Sequence, residues 1–121
     1  MRIVRLLATT LAGLVLLGLA VFFGARLHDG PLAIVPGGPL VAGEAVETPT
    51  IDWTFAKEVG EIELQLDSQS RSRTTWILVR DGKAWIPCSL SFPPGKRWYR
   101  EAERDGRARL RIDGRLYRVE L

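Results

Sequence analysis

The chain has 121 residues, 46% of them hydrophobic and 26% charged, with one cysteine and one histidine. That single cysteine excludes an internal disulfide framework, and a single histidine leaves no material for histidine-based metal sites or Ser-His-Asp catalysis. The net charge of +3 is carried by Arg2, Arg5 and Arg26, so the remainder of the chain is balanced.

Leu6 to Ala25 contains no charged residue. About 20 apolar residues at 1.5 Å rise match a hydrocarbon core of roughly 30 Å, which predicts a membrane-spanning helix. Arg2 and Arg5 precede it and only Arg26 follows closely, so the N-terminus is expected in the cytoplasm and the C-terminal part outside it. A cleaved signal is the competing reading, because Gly18-Leu19-Ala20 and Phe23-Gly24-Ala25 are small-residue sites. The apolar run exceeds the usual signal core of about 7–15 residues, and a retained anchor is preferred. Gly13, Gly18 and Gly24 form no GxxxG dimerisation face. What remains suffices for one small domain, and export makes nucleic acid an unsuitable partner.

From His28 to Pro49 proline and glycine are too dense for regular structure over most of the stretch. Its apolar residues exceed those of a solvated linker, so either a flexible tether or a loop packed on the domain or the membrane surface is expected. Regular structure is expected from Glu61, where Ile62, Leu64 and Leu66 alternate with Glu61, Glu63 and Gln65 as in a half-buried strand.

Asp81-Gly82 lies between two β-rich runs and predicts a two-residue hairpin. The register pairs Arg80 with Lys83, Val79 with Ala84, Leu78 with Trp85 and Ile77 with Ile86. One face then carries Thr75, Ile77, Val79, Ala84, Ile86 and Cys88; the other carries Trp76, Leu78, Trp85 and Pro87. Both faces are apolar, so one covers a core and the other calls for a ligand, a second subunit or the membrane-proximal loop. Cys88 reads as a small buried hydrophobe.

Pro93 and Pro94 block strand extension, and a short helix fits Gly95 to Arg104 with Gly106 as its stop. Asp113-Gly114 predicts a second hairpin, pairing Ile112 with Arg115, Leu110 with Tyr117 and Ala108 with Val119 on an apolar face. Its other face pairs Arg111 with Leu116, Arg109 with Arg118 and Arg107 with Glu120.

Two groups of cations are candidate anion-binding sites. Arg107, Arg109, Arg111 and Arg118 share one face, and like charges across a ladder need a negative counterpart, from a ligand or from Glu61 and Glu63 at home. Lys96 and Arg97 fall in the first turn of the expected helix, where backbone N–H groups attract phosphate or carboxylate; the alternative is that both point into solvent.

Arg73-Thr74-Thr75-Trp76, the Asp81-Gly82 hairpin, Gly95-Lys96-x-Trp98-Tyr99 and Ile112-Asp113-Gly114-x-x-Tyr117 occur in an order that resembles the split β-barrel flavin and deazaflavin oxidoreductases, relatives of pyridoxamine phosphate oxidase. The likeness spans about Gly60 to Leu121. It implies a cofactor phosphate held by Arg73, Thr74, Thr75, Lys96 and Trp98, with FMN or a deazaflavin as cofactor and a homodimer as assembly. The usual glycines before Arg73 are replaced by Ser68-Gln69-Ser70-Arg71-Ser72, the family barrel needs a further strand and helix, and export separates the domain from cytoplasmic reductants.

The resulting expectation is a mainly β (α+β) protein: an anchor over 1–27, a linker or packed loop over 28–59, and a small antiparallel, split-barrel-like sheet with one short helix over 60–121. Its expected role is non-catalytic, binding an envelope protein partner or an anionic ligand; the alternative is a flavin- or deazaflavin-dependent oxidoreductase. No residue stands out as an obligatory acid or base.

Overall fold

A computed structural model describes residues 1–48, 50–92 and 94–121. The expectation that Pro93 blocks a strand, and the Pro49 end of the proline- and glycine-rich stretch, lie outside the described residues.

The apolar N-terminal run forms α1 (Arg2–Gly24), with no side chain buried by the rest of the chain. It is long and apolar enough to cross a membrane, a property that signal sequences share. Its two threonine hydroxyls are satisfied within the helix: that of Thr9 donates to the Arg5 carbonyl at 3.0 Å, and that of Thr10 to the Leu6 carbonyl at 2.9 Å. A 3-10 turn, Ala25–Leu27, follows.

Among the described residues, seven strands build the rest. β1 (Glu44–Val46), β2 (Glu61–Leu66), β3 (Ser72–Trp76), β6 (Arg107–Ile112) and β7 (Arg115–Glu120) form one sheet in the order β1-β7-β6-β2-β3. All its pairings are antiparallel except β1 with β7. β4 (Leu78–Arg80) and β5 (Lys83–Trp85) form a separate two-stranded ribbon. A short helix, α2 (Trp98–Arg104), joins the ribbon to β6.

Alternation decides what each sheet face buries. Ile62, Leu64 and Leu66 of β2 and Ala108, Leu110 and Ile112 of β6 point to one side, where Tyr117, Trp98, Ile77 and Ala56 complete the core. Trp53, Tyr99 and the inward residues of the ribbon, Val79 and Ala84, pack around it.

Both Asp-Gly turns set the register they predict. Asp81 and Gly82 have φ of 53° and 72°, Asp113 and Gly114 of 48° and 76°, so each pair is left-handed as a type I′ turn requires. The second hairpin pairs throughout as expected, from Ile112 with Arg115 to Arg107 with Glu120. In the first, the pairing stops at Leu78 with Trp85 and does not reach Ile77 with Ile86. Ile77 interrupts the strand because its N–H bonds to the Gly60 carbonyl at 2.9 Å while its side chain is drawn into the core.

Three further expectations are corrected. Regular structure begins before Glu61, with β1 and a 3-10 turn over Trp53–Ala56 capped by Asp52, whose carboxylate accepts from the Thr54 N–H at 3.0 Å. The short helix begins at Trp98, not Gly95, since Gly95 sits at φ 79° and cannot enter a right-handed helix there. Lys96 and Arg97 therefore precede the helix. Finally, the face of Glu63 and Gln65 is covered, and Gln65 is buried.

Its cover is the segment after α1, which is a packed loop and not a free tether. Gly37 bridges to Ser72 through two backbone hydrogen bonds of 3.0 and 3.3 Å, the Ser72 hydroxyl donates to the Gly38 carbonyl, and the Leu40 N–H donates to Gln65 Oε1 at 2.8 Å. Leu40 is fully buried. At Gly37 any Cβ would collide with the Gly30 carbonyl, so the loop closes on itself only because that position has no side chain.

Candidate functional site

The arginine face is assembled by β6, which points Arg107, Arg109 and Arg111 away from the core, and by β7, which sets Arg118 opposite Arg109. Arg111 is the centre of it. Its guanidinium donates to the Glu63 carboxylate, to Asp29 Oδ1 at 2.8 Å, and to the carbonyls of Asp29 and Ala42, both at 3.1 Å. Asp29 in turn accepts from the N–H groups of Val41 and Ala42 at 2.9 and 2.8 Å. One cation thus ties β2, β6 and both ends of the packed loop.

This arrangement shifts both partners. Burial raises the Asp29 carboxyl, but the hydrogen bonds from Val41, Ala42 and Arg111 outweigh it and hold the group below its usual value. Glu63 chiefly, with Asp29, raises Arg111 against the effect of burial.

The neighbours are also neutralised inside the molecule. Arg109 meets Asp67 at 3.3 Å and Arg107 meets Asp105 at 2.8 Å. The hydrogen bonds from Arg107 pull the Asp105 carboxyl down to about 2. Glu63 is the acidic-strand residue that answers the arginine face; Glu61 forms no ion pair among the described residues, and Asp29, Asp67 and Asp105 do the rest. Arg118, opposite Arg109 in the ladder, is exposed and has no carboxylate partner among the described residues.

The residues of the family resemblance fall on two sides of β3. Arg73 stands on the core side, its guanidinium 5.4 Å from the centre of the Trp98 ring, with Nη2 donating to Gln69 Oε1 at 2.6 Å and Nε buried without a partner among the described residues. Burial, then repulsion from Arg71, lowers it to about 10. Thr75 shares that side, opposite Ile62. Thr74 is on the other side, where its hydroxyl donates to the Ala33 carbonyl at 2.8 Å. Lys96 is half-buried and Arg97 exposed, both ahead of α2. Arg73 and Trp98 are therefore together, and Thr74 is apart from them.

A cleft of about 570 Å³ opens between the ribbon, α2 and the ends of β6 and β7. Trp85, Ile86, Leu90, Trp98, Tyr99 and Val119 give it an apolar lining, and Glu103 and Glu120 stand on its rim. Beside it the outer face of the ribbon and the neighbouring end of β3 are bare: Trp76 of β3 is 64% exposed, and Trp85 and Leu78 of the ribbon 61% and 59%. The division of the ribbon into two apolar faces was legible in its alternation; the cleft was not, because its wall is completed by Val119 and Tyr99 from distant elements.

No group of three or more metal-ligating side chains occurs among the described residues. Sequence reasoning also missed Asp29, which reads as a flank of α1 and turns out to complete the Arg111 cluster. Its one signal is a carboxylate at the very start of a glycine- and proline-rich loop. Compared with known proteins, the chain matches no family model, no curated protein and no solved structure.

Proposed function

We propose that this is a single-pass membrane protein, its N-terminus in the cytoplasm, whose β domain works outside it as a non-catalytic module for a protein partner. The cleft carries this reading. An apolar hollow of about 570 Å³ next to exposed Trp76, Leu78 and Trp85 is a larger bare surface than so small a domain leaves without use. Its acidic rim, Glu103 and Glu120, favours a partner segment in which apolar anchors are flanked by basic residues. The arginine face is a weaker candidate for an anionic ligand, since Asp29, Glu63, Asp67 and Asp105 already occupy three of its four cations.

Peptides with leucine or phenylalanine between lysines, titrated into the full chain in micelles, should quench or shift tryptophan emission at micromolar concentrations. Trp85→Ala should abolish that response, and Glu103→Gln should weaken it; an unchanged titration in both would sink the assignment. For topology, alkaline phosphatase fused after Leu121 should be active, and activity confined to a cytoplasmic reporter would reverse the orientation.

The second reading is a flavin- or deazaflavin-linked oxidoreductase of the split-barrel type, assembled as a homodimer through the ribbon. Arg73 stacked on Trp98 favours it, because two residues of the resemblance meet there. Arg73, Thr75, Lys96 and Trp98 would hold the cofactor, which would supply the redox chemistry. Titration with FMN and the deazaflavin decides this, and no binding at high micromolar ligand removes the oxidoreductase.

A further inference from the structure

The junction between α1 and the domain gathers cations that the rest of the fold does not neutralise. Phe22 lies in the last turn of α1, near the end of the uncharged run. The Arg26 guanidinium is 5.4 Å from the centre of its ring and 5.1 Å from that of Phe23. Arg71, from the turn between β2 and β3, reaches back to the same Phe22 ring at 5.4 Å. That contact ties the turn between β2 and β3 to the last turn of the helix.

Ion pairing separates these arginines from the arginine face. Among the described residues neither Arg26 nor Arg71 has a carboxylate within ion-pair distance, whereas Arg107, Arg109 and Arg111 each have one. Arg71 spends one Nη2 hydrogen bond, 2.6 Å, on the Pro36 carbonyl, and its Nε is buried without a partner among the described residues. Arg73, two residues on, is near enough for repulsion from Arg71 to act on it. Like charges held around one aromatic ring cost stability unless an anion joins them.

We propose that Arg26 and Arg71 form a binding site for the phosphate of an acidic phospholipid, at the foot of the domain where α1 leaves the bilayer. This rests on the reading that α1 spans the membrane. Phenylalanine rings and arginine stems at the end of a span suit the boundary between acyl chains and headgroups. A guanidinium offers a paired donor edge to phosphate that an ammonium lacks. The lipid is favoured over free phosphate because the two cations flank a ring belonging to the span itself.

The test uses the full chain in nanodiscs of phosphatidylcholine alone or mixed with phosphatidylglycerol, with retained lipid counted by native mass spectrometry. Phosphatidylglycerol should be enriched over its bulk share, and Arg26→Gln or Arg71→Gln should each reduce the enrichment roughly fivefold, the effect of one basic residue at an anionic surface. Arg71→Lys should restore part of it, which separates lost charge from lost folding. Arg80→Gln, an equal charge change at the tip of the ribbon, should leave the enrichment intact. Insertion into phosphatidylcholine without any preference for phosphatidylglycerol overturns the headgroup site alone; failure to insert at all overturns the anchor beneath it. Enrichment that survives both glutamine variants, or falls as much in Arg80→Gln, also overturns the site. Binding of glycerol phosphate in lipid-free micelles, with the same dependence on Arg26 and Arg71, overturns the lipid as its occupant.

Discussion

The two Asp-Gly hairpins share a turn and end in opposite circumstances. β6 and β7 enter the middle of the five-stranded sheet, where Leu110 and Ile112 are buried and the opposite face is held by Arg111 and Arg109. β4 and β5 stand apart as a ribbon with its inner face against the core and Trp76, Leu78 and Trp85 in the open beside it. The turn chemistry settles which residues oppose each other. What lies above and below is settled by other segments, namely β2, the packed loop and α2.

The sharpest way to break this contrast is a pair of leucine truncations. Leu110→Ala should cost about 2–5 kcal/mol of stability, as an enclosed leucine does, whereas Leu78→Ala should change it by less than about 0.5 kcal/mol. Denaturant melts of the full chain in micelles give both numbers; equal losses would mean that the ribbon's outer face is covered. Next in size is Arg111→Met, which leaves Glu63 and Asp29 without their cation and should cost about 2–3 kcal/mol. A loss well below 1 kcal/mol would show that the packed loop does not depend on this cluster.

Backbone strain gives a smaller, more local reading. Gly114→Ala forces a side chain into a left-handed position and should lower the melt by about 1 kcal/mol or more. Gly82→Ala imposes the same strain, but amide exchange should accelerate mainly in the ribbon. Acid should act through Asp29. Because its carboxyl is held below the ordinary value of about 4, its contribution is whole above that pH and is lost as pH falls through the lower folded value. Asp29→Asn should flatten that part of the stability profile, and an unchanged acid limb would show that Asp29 is not coupled to folding.

Local chemistry made the hairpins, the β2 alternation and α1 readable. Turn glycines, period-2 patterns and an uncharged run act over a few neighbouring residues, so the sequence displays them directly. The break at Ile77, the start of α2 at Trp98 and the capture of the loop after α1 depend on partners far along the chain. Gly60 takes the Ile77 N–H, and Ser72 and Gln65 hold Gly37 and Leu40. The candidate sites divide the same way. Shared arginine faces follow from alternation, but their neutralisation by Asp29, Asp67 and Asp105 and the cleft under the ribbon arise only from the assembled sheet.

The Arg111 cluster has a consequence for the order of events during synthesis. Asp29 precedes Arg111 by 82 residues, so the cluster cannot close until β6 has been made. Until then the loop is held to β2 and β3 alone, through Gly37 with Ser72 and Leu40 with Gln65. Once Arg111 arrives the loop is clamped at both ends, and the helix exit and the sheet become one piece. The same residue that neutralises a charged face is also the last fastening of that loop to be made.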